Sequence, residues 1–190
     1  MKESWQVVLA GEGGQGLVLA GVILGEAAVA EGRYAAQTAA YGIASRGGLA
    51  RSEVVISDTV IEYPGVDDPD IVLALSPEAM HRYFGNVKDG CLLIFDNSAI
   101  AGDYSGRSVV GLPFAEKAAV YKIEKGQDLP LNILCLGVVS GIAGVVELTS
   151  LTRIVLGRFQ KGAGINMDAL TAGYALGRAR RRPPAPATGG

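Results

Sequence analysis

Trp5-Gln6-Val7-Val8-Leu9-Ala10 runs without a break into Gly11-Glu12-Gly13-Gly14-Gln15-Gly16, and this junction decides the fold. The first half is an apolar, β-branched run that suits a strand, and the second half is a glycine turn. From Leu17 to Ala30 the chain is apolar, alanine-rich and free of proline. Such a stretch predicts a helix of about four turns. Gly21 and Gly25 sit one helical turn apart inside it. They weaken helix propensity and predict a flat face laid against a sheet.

Outward from this unit, Tyr34 to Arg51 holds small and polar residues around Ser45-Arg46-Gly47-Gly48 and reads as a loop or short helix. Ser52 to Ile56 and Val60 to Tyr63 bracket Ser57-Asp58-Thr59 as a hairpin or two short strands would. Ile71-Val72-Leu73-Ala74-Leu75 is the unbroken apolar run of a strand buried on both faces. Ser76-Pro77-Glu78 then carries a capping hydroxyl, a first-turn proline and an acid suited to the helix dipole. Cys91 to Phe95 is expected to be the next strand, Phe114 to Ala119 a short helix and Val120 to Ile123 another strand. Leu129 to Arg180 reads as helical in three pieces, broken at Glu147 to Ser150 and at Gly162 to Gly164. The expected fold is α/β: an open, mainly parallel sheet with helices on its faces, a Rossmann-like βα start and a helical C-terminal part. Residues 1–178 form the expected domain, and 179–190 a disordered, basic, Pro/Gly-rich tail. Ligands of such sheets gather at the carboxyl ends of strands, here the loops after Ala10, Leu75 and Phe95.

With 190 residues, 49% of them hydrophobic and 19% charged, the chain is long enough and apolar enough for one sizeable core. A net charge of -2 offers no field to draw in nucleic acid or an anionic membrane. Leu129 to Val146 is uncharged, yet it contains Pro130, Asn132 and Ser140, and no basic cluster flanks it. A helix covered by protein on every side explains it better than a membrane span. Cys91 and Cys135 each lie in apolar runs and read as buried free thiols in a reducing compartment. With one histidine and no closely spaced cysteines, the chain carries no metal or iron–sulfur pattern. The N-terminus lacks the basic region and apolar core of a secretory signal, so a cytoplasmic location is expected.

Gly11-x-Gly13-x-x-Gly16 matches the dinucleotide fingerprint letter for letter. Main-chain amides at a helix start can hold a phosphate, and absent side chains let it approach. A nicotinamide site also needs an acid at the end of a second strand, whereas Glu31 stands where the first helix ends. The same glycines equally suit a sharp turn that only packs helix on sheet. Gln15 puts a neutral amide, both donor and acceptor, at the exit of the turn. Arg46 and Arg51 flank Gly47-Gly48, so either guanidinium can fork onto a carboxylate or phosphate or sit in a solvated turn or subunit ion pair. His81 reads as an exposed helix residue, and Asp67 and Asp68 as polar loop surface. No nucleophile with its base is identifiable.

Taken in order, Gly11-Glu12-Gly13-Gly14-Gln15-Gly16, Gln37-Thr38-x-x-Tyr41-Gly42, Arg46-Gly47-Gly48, Val55-Ile56-Ser57-Asp58, Ile61-x-Tyr63-Pro64, Asp70 to Ser76, Asn132 before Leu136-Gly137, and Asn166 with Ala169-Leu170 make up a pattern. The pattern covers about residues 5 to 176 and resembles the gamma subunits of 2-oxoacid:ferredoxin oxidoreductases, most of all the 2-oxoglutarate, KorC-like branch. The resemblance implies membership of a complex that oxidatively decarboxylates a 2-oxoacid, makes an acyl-CoA and passes two electrons to ferredoxin. It also implies alpha and beta partners, with or without a small delta chain, that carry thiamine diphosphate and iron–sulfur clusters. For this chain it implies help in accommodating CoA, with Gly11, Gly13, Gly14, Gln15, Gly16, Arg46 and Gly47 as the candidate contacts and no catalytic residue or metal. Two other readings stay open: a self-sufficient NAD(P)-dependent oxidoreductase and a ligand-free interaction module.

Overall fold

The continuous apolar run at the N-terminus makes β1 (Ser4–Glu12), an interior strand of a six-stranded sheet, buried on both faces. In the computed structural model, which describes residues 2–41, 48–104 and 108–181, the chain continues through α1 (Leu17–Ala30), β2 (Tyr34–Tyr41), β3 (Leu49–Ser57), β4 (Ile71–Ala74), α2 (Pro77–Tyr83) and β5 (Leu92–Asp96). It then forms β6 (Val109–Leu112), α3 (Phe114–Lys125), α4 (Leu131–Ala143), α5 (Leu148–Arg158) and α6 (Ala163–Arg178). The strand order is β2-β3-β1-β4-β5-β6. From β1 to β6 every pairing is parallel. The β1–β3 and β3–β2 pairings are antiparallel, so the sheet is mixed and its antiparallel part lies at one edge.

The two faces are covered unequally. On one, Val7, Leu9, Val54, Ile71, Leu73 and Ile94 pack with the apolar side of α1 and with α4. On the other, Val8, Ala10, Val72, Ala74 and Phe95 meet Ala79, Met80 and Tyr83 of the short α2. Ser76 caps α2 by accepting from the Ala79 amide at 3.2 Å, as its sequence signature predicts. Gly21 is the flat spot in α1 that the sequence implied. A side chain there would collide with Ser52, and Gln37 of β2 uses the space to donate to the Val18 carbonyl at 2.8 Å.

α4 is buried continuously from Ile133 to Ile142, because helices as well as the sheet surround it. Its contact with α6 is glycine on glycine. A Cβ on Gly137 would overlap the Leu170 carbonyl, and one on Gly173 the Leu134 carbonyl. This explains the apolar stretch without a bilayer. Among the described residues no helix is long and apolar enough to cross a membrane.

Three expectations are corrected. Tyr34 to Arg51 is no loop or short helix: its two ends are β2 and the start of β3. Alanine-rich Tyr-Ala-Ala-Gln-Thr-Ala-Ala-Tyr carries almost no β-branching, so tertiary pairing overrides its propensity. Ser52 to Ile56 does not pair with Val60 to Tyr63; its neighbours are β1 and β2. Val120 to Ile123 is not a strand but the second half of α3, which turns Ala118 and Tyr121 toward the core and ends at left-handed Gly126. The tail beyond residue 181 lies outside the described residues.

Candidate functional site

The carboxyl end of β1 leads into a turn whose glycines divide into a packed pair and an open pair. A side chain on Gly11 would strike Gln15, with Leu17 at 3.0 Å and Leu75 at 3.1 Å. One on Gly16 would come within 2.9 Å of the Asn132 amide nitrogen. Among the described residues nothing lies within 4 Å of a Cβ placed on Gly13 or Gly14. Gly14 and Gly16 also have φ of 95° and 73°, in the left-handed region that side chains disfavour.

Gln15 holds the turn from inside: its Oε1 accepts from the Glu12 amide at 2.8 Å, and its Nε2 donates to the Leu75 carbonyl at 3.5 Å. The Gly13 amide donates to the Gly48 carbonyl at 3.3 Å. That bond brings the end of the Arg46-Gly47-Gly48 motif against the glycine turn, as a ligand bridging the two would require. Arg46 and Gly47 themselves lie outside the described residues. Arg51 sits opposite Ala10 in the register and pairs with Glu53 at 3.3 Å, while the Thr38 hydroxyl donates to Glu53 at 3.1 Å.

What the turn offers is main-chain N–H. α1 starts after Gly16 with no side-chain cap and no acid in its first turn. The amides of Gly14, Gly16, Leu17, Val18 and Leu19 reach no acceptor among the described residues, and Ala20 is the first to bond back, to the Gly16 carbonyl at 3.0 Å. Unaccepted amides at an uncapped helix start favour an anion.

The geometry does not continue into a nicotinamide site. The strand beside β1 on the ribose side is the antiparallel β3, and Glu31 caps α1 at the far end of the helix. No acid-bearing parallel strand therefore stands where a ribose would be held. Titration of the chain with NAD or NADP is expected to give no saturable binding in the micromolar range, measured by calorimetry.

His81 and Asp67 are exposed, and Asp68 pairs with Lys88 at 3.4 Å. Among the described residues no group of three or more His, Cys, Asp or Glu is placed to hold a metal ion. Both cysteines are buried and free. Burial pushes the Cys91 thiol up to about 11 and raises that of Cys135 well above the ordinary range. Neither is a thiolate nucleophile at neutral pH. The native protein is expected to resist iodoacetamide at pH 7.5, and the unfolded protein to take up two equivalents by mass spectrometry.

Sequence reasoning passed over two residues as site elements. Asp96, buried at the end of β5, accepts from the amides of Ser98, Phe114 and Ala115 and so anchors the start of α3. Asn132, at the start of α4, lies against Gly16; a lone amide opening an otherwise apolar helix was the only local signal.

Residues 6–176 match the family described as pyruvate ferredoxin/flavodoxin oxidoreductase. The chain is 34% identical over 178 residues to the 2-oxoglutarate synthase subunit KorC of Methanocaldococcus jannaschii, covering 91% of this chain and 94% of that one. Its structure resembles the gamma subunit of a keto/oxoacid ferredoxin oxidoreductase from Geobacter sulfurreducens, with a TM-score of 0.79 and 30% identity over 95% of this chain and all of that one. The fold also recurs, with a TM-score of 0.82 and 22% identity over 94% of this chain, in 32% of a chain of the 2-oxoglutarate:ferredoxin oxidoreductase of Magnetococcus marinus, whose structure holds 2-oxoglutarate, coenzyme A and succinyl-CoA. With its glycine turn, its mixed sheet and a family match across nearly its whole length, this chain belongs to the pyruvate ferredoxin/flavodoxin oxidoreductase family, in its gamma-subunit form.

Proposed function

We propose that this chain is the gamma subunit of a cytoplasmic 2-oxoglutarate:ferredoxin oxidoreductase, and that its glycine turn accommodates CoA while decarboxylation and electron transfer take place on partner subunits. The overall reaction joins the acyl group of the 2-oxoacid to the CoA sulfur, releases CO2 and leaves two electrons on ferredoxin. Thiamine diphosphate and iron–sulfur clusters would reside on the alpha and beta chains, or on a small delta chain. The observation that carries the reading is the row of amides from Gly14 to Leu19 that, Gln15 apart, meet no acceptor among the described residues, fronted by Gly13 and Gly14, where the described residues leave open space. CoA is rich in phosphate, and such a row favours a phosphate over a neutral surface. Arg46 and Gly47, two and one residues before the Gly48 that bonds to the turn, are the further contacts proposed.

Reconstitution tests this reading. The chain alone is expected to turn over no 2-oxoacid. Combined with its co-purifying partners, it is expected to restore ferredoxin reduction that requires both CoA and 2-oxoglutarate. Turnover by the isolated chain, or full CoA-dependent activity of the partners without it, would sink the proposal.

A further inference from the structure

β2 ends the sheet, with β3 on one side and, among the described residues, no strand on the other. In an antiparallel pair every second residue turns its amide and carbonyl away from its neighbour, so β2 presents a row of main-chain donors and acceptors outward. None of them meets a hydrogen-bond partner among the described residues. Such a row is a template for another strand, and folded proteins guard it with charge, proline, a bulge or shortness. β6, at the opposite edge, is short, with four residues. β2 has none of these guards. Tyr-Ala-Ala-Gln-Thr-Ala-Ala-Tyr is eight residues long, uncharged and free of proline, and its register with β3 runs from Tyr34 to Tyr41 without a bulge.

An apolar groove of about 490 Å3 adjoins this edge, lined by Val22, Gly25 and Val29 of α1, Ala35 and Gln37 of β2, and Ile154 of α5. Val29 is 57% exposed beside it. The charged residue of the lining, Glu26, is already paired with Arg158.

We infer that β2 is a dimerisation edge, which pairs antiparallel with β2 of a second copy of this chain and continues the sheet across a two-fold axis. Such an axis stands normal to the sheet and keeps like faces on the same side, so both copies of α1 flank the junction. The pairing centres on a residue. About Gln37 it sets Ala35 opposite Ala39 of the other copy, and about Thr38 it sets Ala36 opposite Ala40, so alanine meets alanine in either register. A two-fold contact needs projection and recess on one patch, and here Val29 projects beside a recess opened by Gly25 of the same helix. With β2 uncharged and Glu26 paired, the two copies of the patch meet without like-charge repulsion. The edge is about 27 Å long and, with α1 above it, about 15 Å deep; two such faces bury on the order of 1,000 Å2, the size of a concentration-dependent dimer.

Sedimentation equilibrium of the full chain at about 10–100 µM is expected to show a reversible dimer. Ala39→Lys combined with Ala40→Lys puts cations on two exposed positions of β2, and is expected to weaken the dimer at least about a hundredfold with an unchanged circular dichroism spectrum. Val29→Lys on α1 is expected to weaken it about tenfold. Hydrogen exchange gives a reading without variants: β2 amides are expected to lose protection on dilution while those of β1 keep it. A chain still monomeric at about 100 µM, or a dimer that both variants leave within about twofold of the parent, would overturn the inference. A monomeric chain whose β2 becomes protected only when partner subunits bind would overturn it as well, and would give the edge to a strand of another subunit.

Discussion

Gly173→Val is expected to destabilise the chain by about 3 kcal/mol or more, with a fall of roughly 6–12 °C in the unfolding midpoint by calorimetry and poor soluble yield. The new Cβ would overlap the Leu134 carbonyl and stand 3.1 Å from the Val138 amide nitrogen. Both obstacles are backbone, so no rotamer change can relieve them. The neighbours offer no slack either: Gly137 and Gly141 of α4 meet the Leu170 and Tyr174 carbonyls of α6, and Gly177 meets that of Val138. Four glycines thus set the separation of two helices, and α4 cannot move off α6 without losing its seat against the sheet. Gly157→Ala in α5 is the control. No described residue lies within 4 Å of a Cβ at that position, and its φ is not positive. Alanine there is expected to stabilise the protein by up to about 0.5–1 kcal/mol through helix propensity. Substitutions of the same residue type should therefore move the midpoint in opposite directions.

Gly13→Val in the assembled complex is expected to raise the KM for CoA between tenfold and a hundredfold, with kcat and the unfolding midpoint little changed. Gly13 is the clean position for this experiment. No described residue comes within 4 Å of a side chain there and its φ is not left-handed, so a side chain is expected to cost the fold little. At Gly14 a φ of 95° would mix backbone strain into the result, and at Gly11 or Gly16 the collisions with Gln15 or Asn132 would do the same. A branched side chain on Gly13 projects from the part of the turn that the described residues leave open, beside amides that meet no acceptor among those residues. Steady-state kinetics with CoA as the varied substrate reads the effect directly. An unchanged KM combined with weakened co-purification would favour a ligand-free interaction module.

The positions of these residues were legible in the sequence to different degrees. The βα opening was readable almost to the residue, because β1, the glycine turn and α1 are all decided by local chemistry: branching, absent side chains and an alanine-rich helix bounded by glycine. The cap at Ser76 and the buried β4 were readable for the same reason. β2 was not, since its alanines favour no strand by themselves, and only pairing with β3 and packing under α1 make it one. Gln15 looked like a ligand contact in sequence because an amide at a turn can face either way; in the structure it closes the turn on itself. Asn132 could not be placed at the turn by any local rule, being more than a hundred residues away along the chain.

By itself, then, the sequence determined that a strand passes through glycines into an uncapped helix, that the C-terminal third is helical, and which family pattern the chain carries, because each depends on residues close together or in a fixed order. Tertiary structure alone decided that β3 inserts antiparallel between β1 and β2 and so removes the strand a nicotinamide ribose would need. It alone decided that glycines of α4 and α6 meet backbone to backbone, and that α4 delivers Asn132 to the turn. Pairing, close approach and convergence are relations between distant segments, and their free energy exists only once those segments are packed together.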